Sequence, residues 1–329
     1  MFKKIIYFIF SAVNRGKYKV ITVFGFKFKF RIMRFDIQNL ERTLSARIGR
    51  LENMVESSID IRKLPPSCNL TGKIQKASFK ILREFDAICR RNNLKYWLDF
   101  GTLLGAVRHG GFIPWDDDLD VGMPYADYQK LLEIIDSQLD GSDFNFIRVP
   151  SQIGKITHKQ FTPQNDRDMS RFIFWNLEGK LSFALDIFPF YNAKDELDKD
   201  SLAREIRDYV CQKSRIIDKF RSYNDFRVAD DIVKNARRQM AQEGPSQYMY
   251  LGLETRVYQP VIRNTSDMFP LKEMMFESLR CYVPNNARDI LIDLYGDFMS
   301  FPPNEVFHHI KNSTIDKQDL KKLETIIDE

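Results

Sequence analysis

The stretch Pro114-Trp115-Asp116-Asp117-Asp118-Leu119-Asp120-Val121-Gly122-Met123 sets four carboxylates in five positions against an apolar run. Ionised carboxylates that close repel one another, so the fold must leave them in water or bring a positive partner to them. Leu119 to Met123 reads as a strand, and a strand sends alternate side chains to one face. Asp118 and Asp120 therefore point together. Asp116 joins them if the extended run begins early enough, and Asp117 points away as a surface charge. Two or three carboxylates converging at a strand edge make a hard-oxygen site suited to Mg²⁺ or Mn²⁺. Such a site can neutralise charge on a transferring phosphoryl group. A solvated acidic turn is the plainer alternative, and a D-x-D pattern alone does not decide between them.

The flanking residues sharpen the choice. Gly101-Thr102 falls between a strand, Tyr96 to Phe100, and a helix for which Thr102 is the expected N-cap. Backbone N–H groups and a hydroxyl at that turn can receive phosphate. Arg108 and His109 close the helix, within reach of phosphate or a leaving group. Downstream, Ala184-Leu185-Asp186-Ile187-Phe188-Pro189 isolates one acid in an apolar strand. A buried carboxylate is costly without a partner. Either the same cation or a neighbouring Lys or Arg supplies it. Lys155, His158 and Lys159 read as a solvated strand face, with a nucleotide-phosphate path as the alternative. Trp97, Trp115 and Trp175 read as core, and His308-His309 carries no ligand pattern.

At 329 residues, 43% apolar and 13% aromatic, the chain can bury a large core. Cys68, Cys89, Cys211 and Cys281 are scattered without CxxC pairs, which argues against zinc or a disulfide framework and fits a reducing compartment. The first 35 residues hold nine Lys or Arg and no acid, yet the net charge is only +5. The apolar run IIYFIFSAV is far short of the ~20 residues a membrane span needs. Two lysines precede it as in a signal peptide, but no small-x-small cleavage site follows. A basic, aromatic segment of this kind suits an anionic membrane surface, with a solvated hairpin as the plainer reading. The basic excess is too local for nucleic-acid binding. Apolar residues from Ile37 to Ile59 recur every three or four positions, as in an amphipathic helix that either pairs two subunits or packs on its own domain. Pro65-Pro66 then marks a linker. Helices are expected over 73–92 and 124–139. Strands are expected at 144–149, 154–161, 171–176 and 181–190. A charged helical insertion follows from 195 to 265, and a mixed tail over 266–329 completes the site.

YWLDFGTLLGAVRHGGFIPWDDDLDVGM, the later DIFP strand and the tail FPLKEMMFESLRCYVPNNARDILIDLYGDFMSFPP together resemble the LicD family of the nucleotidyltransferase-like superfamily, which includes fukutin and fukutin-related protein. The likeness runs from about Lys73 to His309. It leaves out the first ~70 residues and the charged helical stretch. It implies an α+β fold, a nucleotidyltransferase-like mixed sheet with flanking helices over 67–194, to which the sequence pattern adds the helical insertion and an N-terminal strand and helix extension (1–35 and 36–66). It implies a metal-dependent enzyme; the thiols, the basic N-terminus and the nucleotide donor set the expected location in the cytoplasm at the inner membrane face. The reaction moves a phospho-alcohol (phosphocholine first, ribitol or glycerol phosphate otherwise) from a CDP-alcohol to a sugar hydroxyl, releasing CMP. The acceptor would be a free or lipid-linked glycan: lipopolysaccharide, capsule or teichoic acid. The family's G-[ST] falls on Gly101-Thr102, its paired acids on Asp118 and Asp120 with Asp116 extending them, and its third acid on Asp186. That makes Asp118, Asp120 and Asp186 the metal ligands and Asp116 or Asp186 the base. The usual FEG of the tail appears here as Phe276-Glu277-Ser278, which puts the acceptor side in question. Nucleotidyl transfer from an NTP, and a scaffold role in a glycan-assembly complex, are the alternatives.

Overall fold

The computed structural model describes residues 10–15, 18–23, 26–31, 46–47, 59–148, 154–161, 183–217, 226–254, 259–302 and 317–328. The strand expected at 171–176 and the pair His308-His309 lie outside these residues, as does all but Ala46, Arg47 and Ile59 of the expected amphipathic helix and its dimer seam. The chain divides at Asp60/Ile61 into two compact units. The first contains an antiparallel three-stranded meander of β1 (Phe10–Arg15), β2 (Tyr18–Val23) and β3 (Phe26–Arg31). Phe26 at its β2–β3 turn is 72% exposed. No helix among the described residues is long and apolar enough to cross a membrane.

The second unit is an α+β domain around a seven-stranded mixed sheet. After Pro65-Pro66, Asn69 accepts a hydrogen bond from the Thr71 N–H and starts α1 (Leu70–Arg91). Ile74, Ala77, Ile81, Leu82, Phe85 and Ile88 recur at helical spacing and are all buried. β4 (Trp97–Leu98) leads into α2 (Phe100–His109). Asp99, not Thr102, is the N-cap, accepting from the Phe100 N–H at 2.8 Å. Phe100 sits at φ 42°, a left-handed value that a non-glycine residue adopts only where its surroundings hold it.

β5 (Leu119–Pro124) pairs antiparallel with β4 and parallel with β8 (Ala184–Asn192). A parallel neighbour requires a crossover. It is supplied by α3 (Tyr125–Leu139) and the hairpin of β6 (Phe144–Ile147) and β7 (Gly154–His158). The far edge of β8 forks: β7 pairs with its first half and β9 (Tyr248–Leu251) with its second. The fork lies at Pro189, which has no N–H to offer a continuing partner but whose carbonyl accepts from Gly252. β10 (Ile262–Asn264) completes the order β10-β9-β8-β5-β4. The segment expected to be a helical insertion thus returns two strands to the sheet. Its helices, α4 (Lys199–Ile217) and α5 (Phe226–Met240), build a second core on Tyr191, Tyr250 and Leu253. After α6 (Thr265–Met268), the tail adds a hairpin, β11 (Lys272–Phe276) with β12 (Leu279–Val283), then α7 (Ala287–Tyr295) and α8 (Lys317–Asp328).

β4 lies tightly against β5 because Gly122 has no side chain. A Cβ there would come within 2.3 Å of Trp97 Nε1. Trp97 is fully buried between Phe190 and Phe269, at ring distances of 5.2 and 6.1 Å, and cannot yield. Gly122→Ala should therefore cost about 1–3 kcal/mol and lower the melting temperature by several degrees in a thermal scan. An unchanged melting temperature would contradict this packing.

Candidate active site

Strand register assembles the site. Asp120 on β5 lies directly beside Asp186 on β8. Paired residues on neighbouring strands share a face and stand about 5 Å apart. On the other side of Asp186, Lys155 on β7 is its register partner. On the other side of Asp120, Asp99 follows β4, its N–H bonded to the Asp120 carbonyl. One row thus crosses four strands as Lys155, Asp186, Asp120 and Asp99. Asp118 and Asp116 precede β5; their carboxyls contact each other and their charges act on Asp120.

The charges in the row are unequally matched. Lys155 and Asp186 form a buried ion pair. Lys155 and His158 are both buried, so the solvated face expected at Lys155, His158 and Lys159 exists only at Lys159. Arg263 on β10 grips Asp99 with two hydrogen bonds, at 2.5 and 2.9 Å, and Trp97 Nε1 adds a third at 3.0 Å. Asp116 and Asp120 carry the excess. Burial, then the charge of Asp118, raises the Asp116 carboxyl well above its ordinary value. Burial, then Asp118, Asp186, Asp116 and Asp99, does the same to Asp120. Two ionised carboxylates about 5 Å apart repel by on the order of 3 kcal/mol at an effective dielectric constant near 20.

Backbone and helix contacts hold these acids in place. The Asp120 N–H donates to Thr102 Oγ1 at 2.8 Å, and Thr102 is buried. Its hydroxyl oxygen thus anchors the strand. Gly101 makes room for Asp116, whose Oδ2 would be 2.8 Å from a Cβ on that glycine. The turn expected to receive phosphate is therefore occupied by a carboxylate. Gln75 of α1 donates to the carbonyls of Ile113 and Asp116 and fixes the loop between α2 and β5. Glu277, at φ 53°, donates its N–H to the Gly110 carbonyl and accepts from the Phe112 N–H, so the Glu277-Ser278 turn clamps that loop too. Asp117 is 4% exposed, a buried residue where a surface charge is expected.

Arg108 and His109 serve the same frame. Arg108 is buried, donates through Nη1 to the Phe298 carbonyl and through Nε to His109 Nε2, and lies over the Trp115 ring. Burial and the Arg108 charge push His109 down to about 4, so it is neutral near pH 7 and offers no positive charge to phosphate. Trp115 is partly buried against the main core, as expected, and stacks on Phe301. Tyr295, the last residue of α7, was not among the expected site residues. It is 44% exposed, yet its hydroxyl is pushed upward by desolvation and then by the charges of Asp120, Asp99, Asp116 and Asp118. Asp99 is visible in the YWLDFG stretch as an acid ending an apolar strand. Arg263 leaves no such mark, being 164 positions away from the residue it grips.

A family model described as LicD/FKTN/FKRP, nucleotidyltransferase domain, matches residues 93–224. Residues 93–224 are a LicD-family domain. The match runs through α4, part of the charged stretch that the sequence resemblance leaves out. The lipopolysaccharide cholinephosphotransferase LicD of Haemophilus influenzae is 26% identical over 271 residues, covering 73% of this chain and 96% of that protein. The human ribitol 5-phosphate transferase FKRP is 25% identical over 138 residues, 41% of this chain and 24% of its own length. An uncharacterized Rickettsia prowazekii protein is 42% identical over 66 residues, 20% of this chain and 25% of that protein. The chain thus spans nearly all of one relative and about a quarter of the other two. The similarity to named transferases supports a phosphoalcohol-transferring enzyme.

Among the described residues no three His, Cys, Asp or Glu side chains already stand in a ligating arrangement. The donor set of the LicD-family domain nevertheless fits a hard divalent cation. Asp120 and Asp186 share one face, and the carboxyls of Asp116 and Asp120 are held above their ordinary pKa by burial and neighbouring charge. The protonation this implies sets the sign of a pH effect. A carboxyl raised on folding contributes stability fully present below the ordinary aspartate pKa of about 4 and lost as pH rises through the elevated folded value. Urea melts of EDTA-treated protein should therefore lose stability from pH 5 to 8, and Asp116→Asn should flatten that slope. A stability that rises with pH in both proteins would refute the electrostatic picture.

Proposed function

We propose that this protein transfers a phospho-alcohol group from a CDP-alcohol to a sugar hydroxyl of a cell-surface glycan, with release of CMP. The observation carrying this reading is the register that lays Asp120 beside Asp186 in a LicD-family domain, with the charges of Asp118 and Asp116 acting on Asp120. Phosphocholine is the first candidate group, because the relative matched over most of its length is a lipopolysaccharide cholinephosphotransferase. Ribitol phosphate is the second, from the shorter match to FKRP.

Asp118, Asp120 and Asp186 would hold Mg²⁺ or Mn²⁺. When bound, that ion would supply neutralising charge for the donor diphosphate. The chain's own residues do the rest. Lys155 keeps a fixed positive charge at Asp186. Asp116, whose carboxylate packs against Gly101, would accept the proton of the attacking hydroxyl. Arg263 and Thr102 hold Asp99 and Asp120 still, so little reorganisation is needed as charge moves. The nucleotide donor, the four cysteines and the basic N-terminus favour a cytoplasmic site of action at an anionic membrane face.

The test is CMP release from CDP-choline, CDP-ribitol, CDP-glycerol and CDP-ethanolamine, each with Mg²⁺ and a glycan acceptor. One donor should be turned over, EDTA should stop it, and Asp120→Asn should lose at least about 10²–10³-fold with an unchanged circular dichroism spectrum. Pyrophosphate release from NTPs instead would point to nucleotidyl transfer. Absence of any Mg²⁺-dependent nucleotide binding in calorimetry would point to a scaffold.

A further inference from the structure

A second feature of the same unit is a cleft of about 570 Å³ between α4, the segment 259–264 and α7. Arg263 lines it and is also the residue that grips Asp99 beside Asp120. Asp289, Asp293 and Leu294 line its α7 wall, and the next residue along that helix is Tyr295. The cleft is thus joined to the aspartates by one arginine and one helix.

Its lining argues for a particular ligand. Asp200, Asp267, Asp289 and Asp293 face Lys199 and Arg207, while the third cation, Arg263, is already paired with Asp99. Among the described residues the resulting excess of two negative charges disfavours a diphosphate or any other strong anion. Quaternary ammonium groups are recognised by aromatic faces, and among the described residues none that lines the cleft is aromatic. Carboxylates and amides beside apolar side chains suit a neutral ring bearing several hydroxyls. One of these acceptors is preorganised: Asp267 takes hydrogen bonds from Asn264 Nδ2 and Asn286 Nδ2, both at 2.7 Å. Ile262, Pro260 and Leu294 offer apolar surface for the C–H face of such a ring.

We infer that this cleft binds a neutral sugar ring, and that the sugar is part of the glycan acceptor. The second clause rests on the phosphotransfer reading; the first does not. A ring seated between Asp267 and Asp293 is led along α7, past Tyr295, towards the carboxylates.

The experiment uses the full chain and saturation-transfer NMR with methyl α-D-glucopyranoside, methyl β-D-galactopyranoside and N-acetyl-D-glucosamine at millimolar concentration. At least one should show transfer to its ring protons. That transfer should fall about threefold or more in Asp289→Ala/Asp293→Ala, two exposed positions outside the aspartate cluster. It should persist when CDP and Mg²⁺ are added. No transfer to any of the three sugars, equal transfer in the variant, or displacement of the sugar by CDP would each overturn the assignment. CDP binding, measured separately by calorimetry, distinguishes the two claims. Sugar binding without CDP binding would leave the cleft standing and remove the phosphotransfer reading.

Discussion

Parallel pairing of β5 with β8 forces two carboxylates side by side in a partly dry place, and much of the surrounding structure answers that one constraint. Strand register leaves Asp120 no other neighbour at its level than Asp186 on one side and the end of β4 on the other. Lys155 meets the charge at one end of the row and Arg263 at the other. Between these two ends the carboxyls of Asp116 and Asp120 are driven upward by burial and by the charges of neighbouring aspartates. A fold that only needed stability would replace such a group with apolar residues at little cost. Keeping it points to chemistry.

The frame around the row is built from distant pieces of chain. Gln75 of α1, Thr102 of α2, Glu277 of the β11–β12 turn and Arg263 of β10 each fix one part of the acidic loop or its neighbours. Arg108 ties α2 to the segment after α7 through the Phe298 carbonyl. The tail therefore belongs to the site, and the charged stretch, through its helix α4, walls the adjoining cleft. An arrangement with this many crossing contacts suits electrostatic preorganisation better than a mobile lid.

How far the sequence could be read depended on whether a signal was local. Alternation placed Asp118 and Asp120 on one face, and an isolated acid in an apolar strand marked Asp186; both readings need only a strand and its period. The helices over 70–91 and 125–139 were legible from apolar spacing to within three residues. What the sequence hid was long-range. Lys155 looked like a solvated strand residue because its partner is set by the antiparallel register of β7 on β8. Thr102 looked like a cap, whereas Asp99 caps the helix and Thr102 anchors Asp120. The charged stretch looked purely helical because β9 and β10 are only four and three residues long. Strands that short carry too little pattern to be seen before their partners are known.

The account stands or falls on whether the aspartate row is a cation site. Crystals soaked in MnCl₂ and measured at the manganese absorption edge would decide it. The account predicts an anomalous peak with carboxylate oxygens of Asp118 and Asp120 about 2.0–2.3 Å away. It would be contradicted by no peak there, with the Asp116–Asp118 contact and the Lys155–Asp186 pair unchanged by the ion.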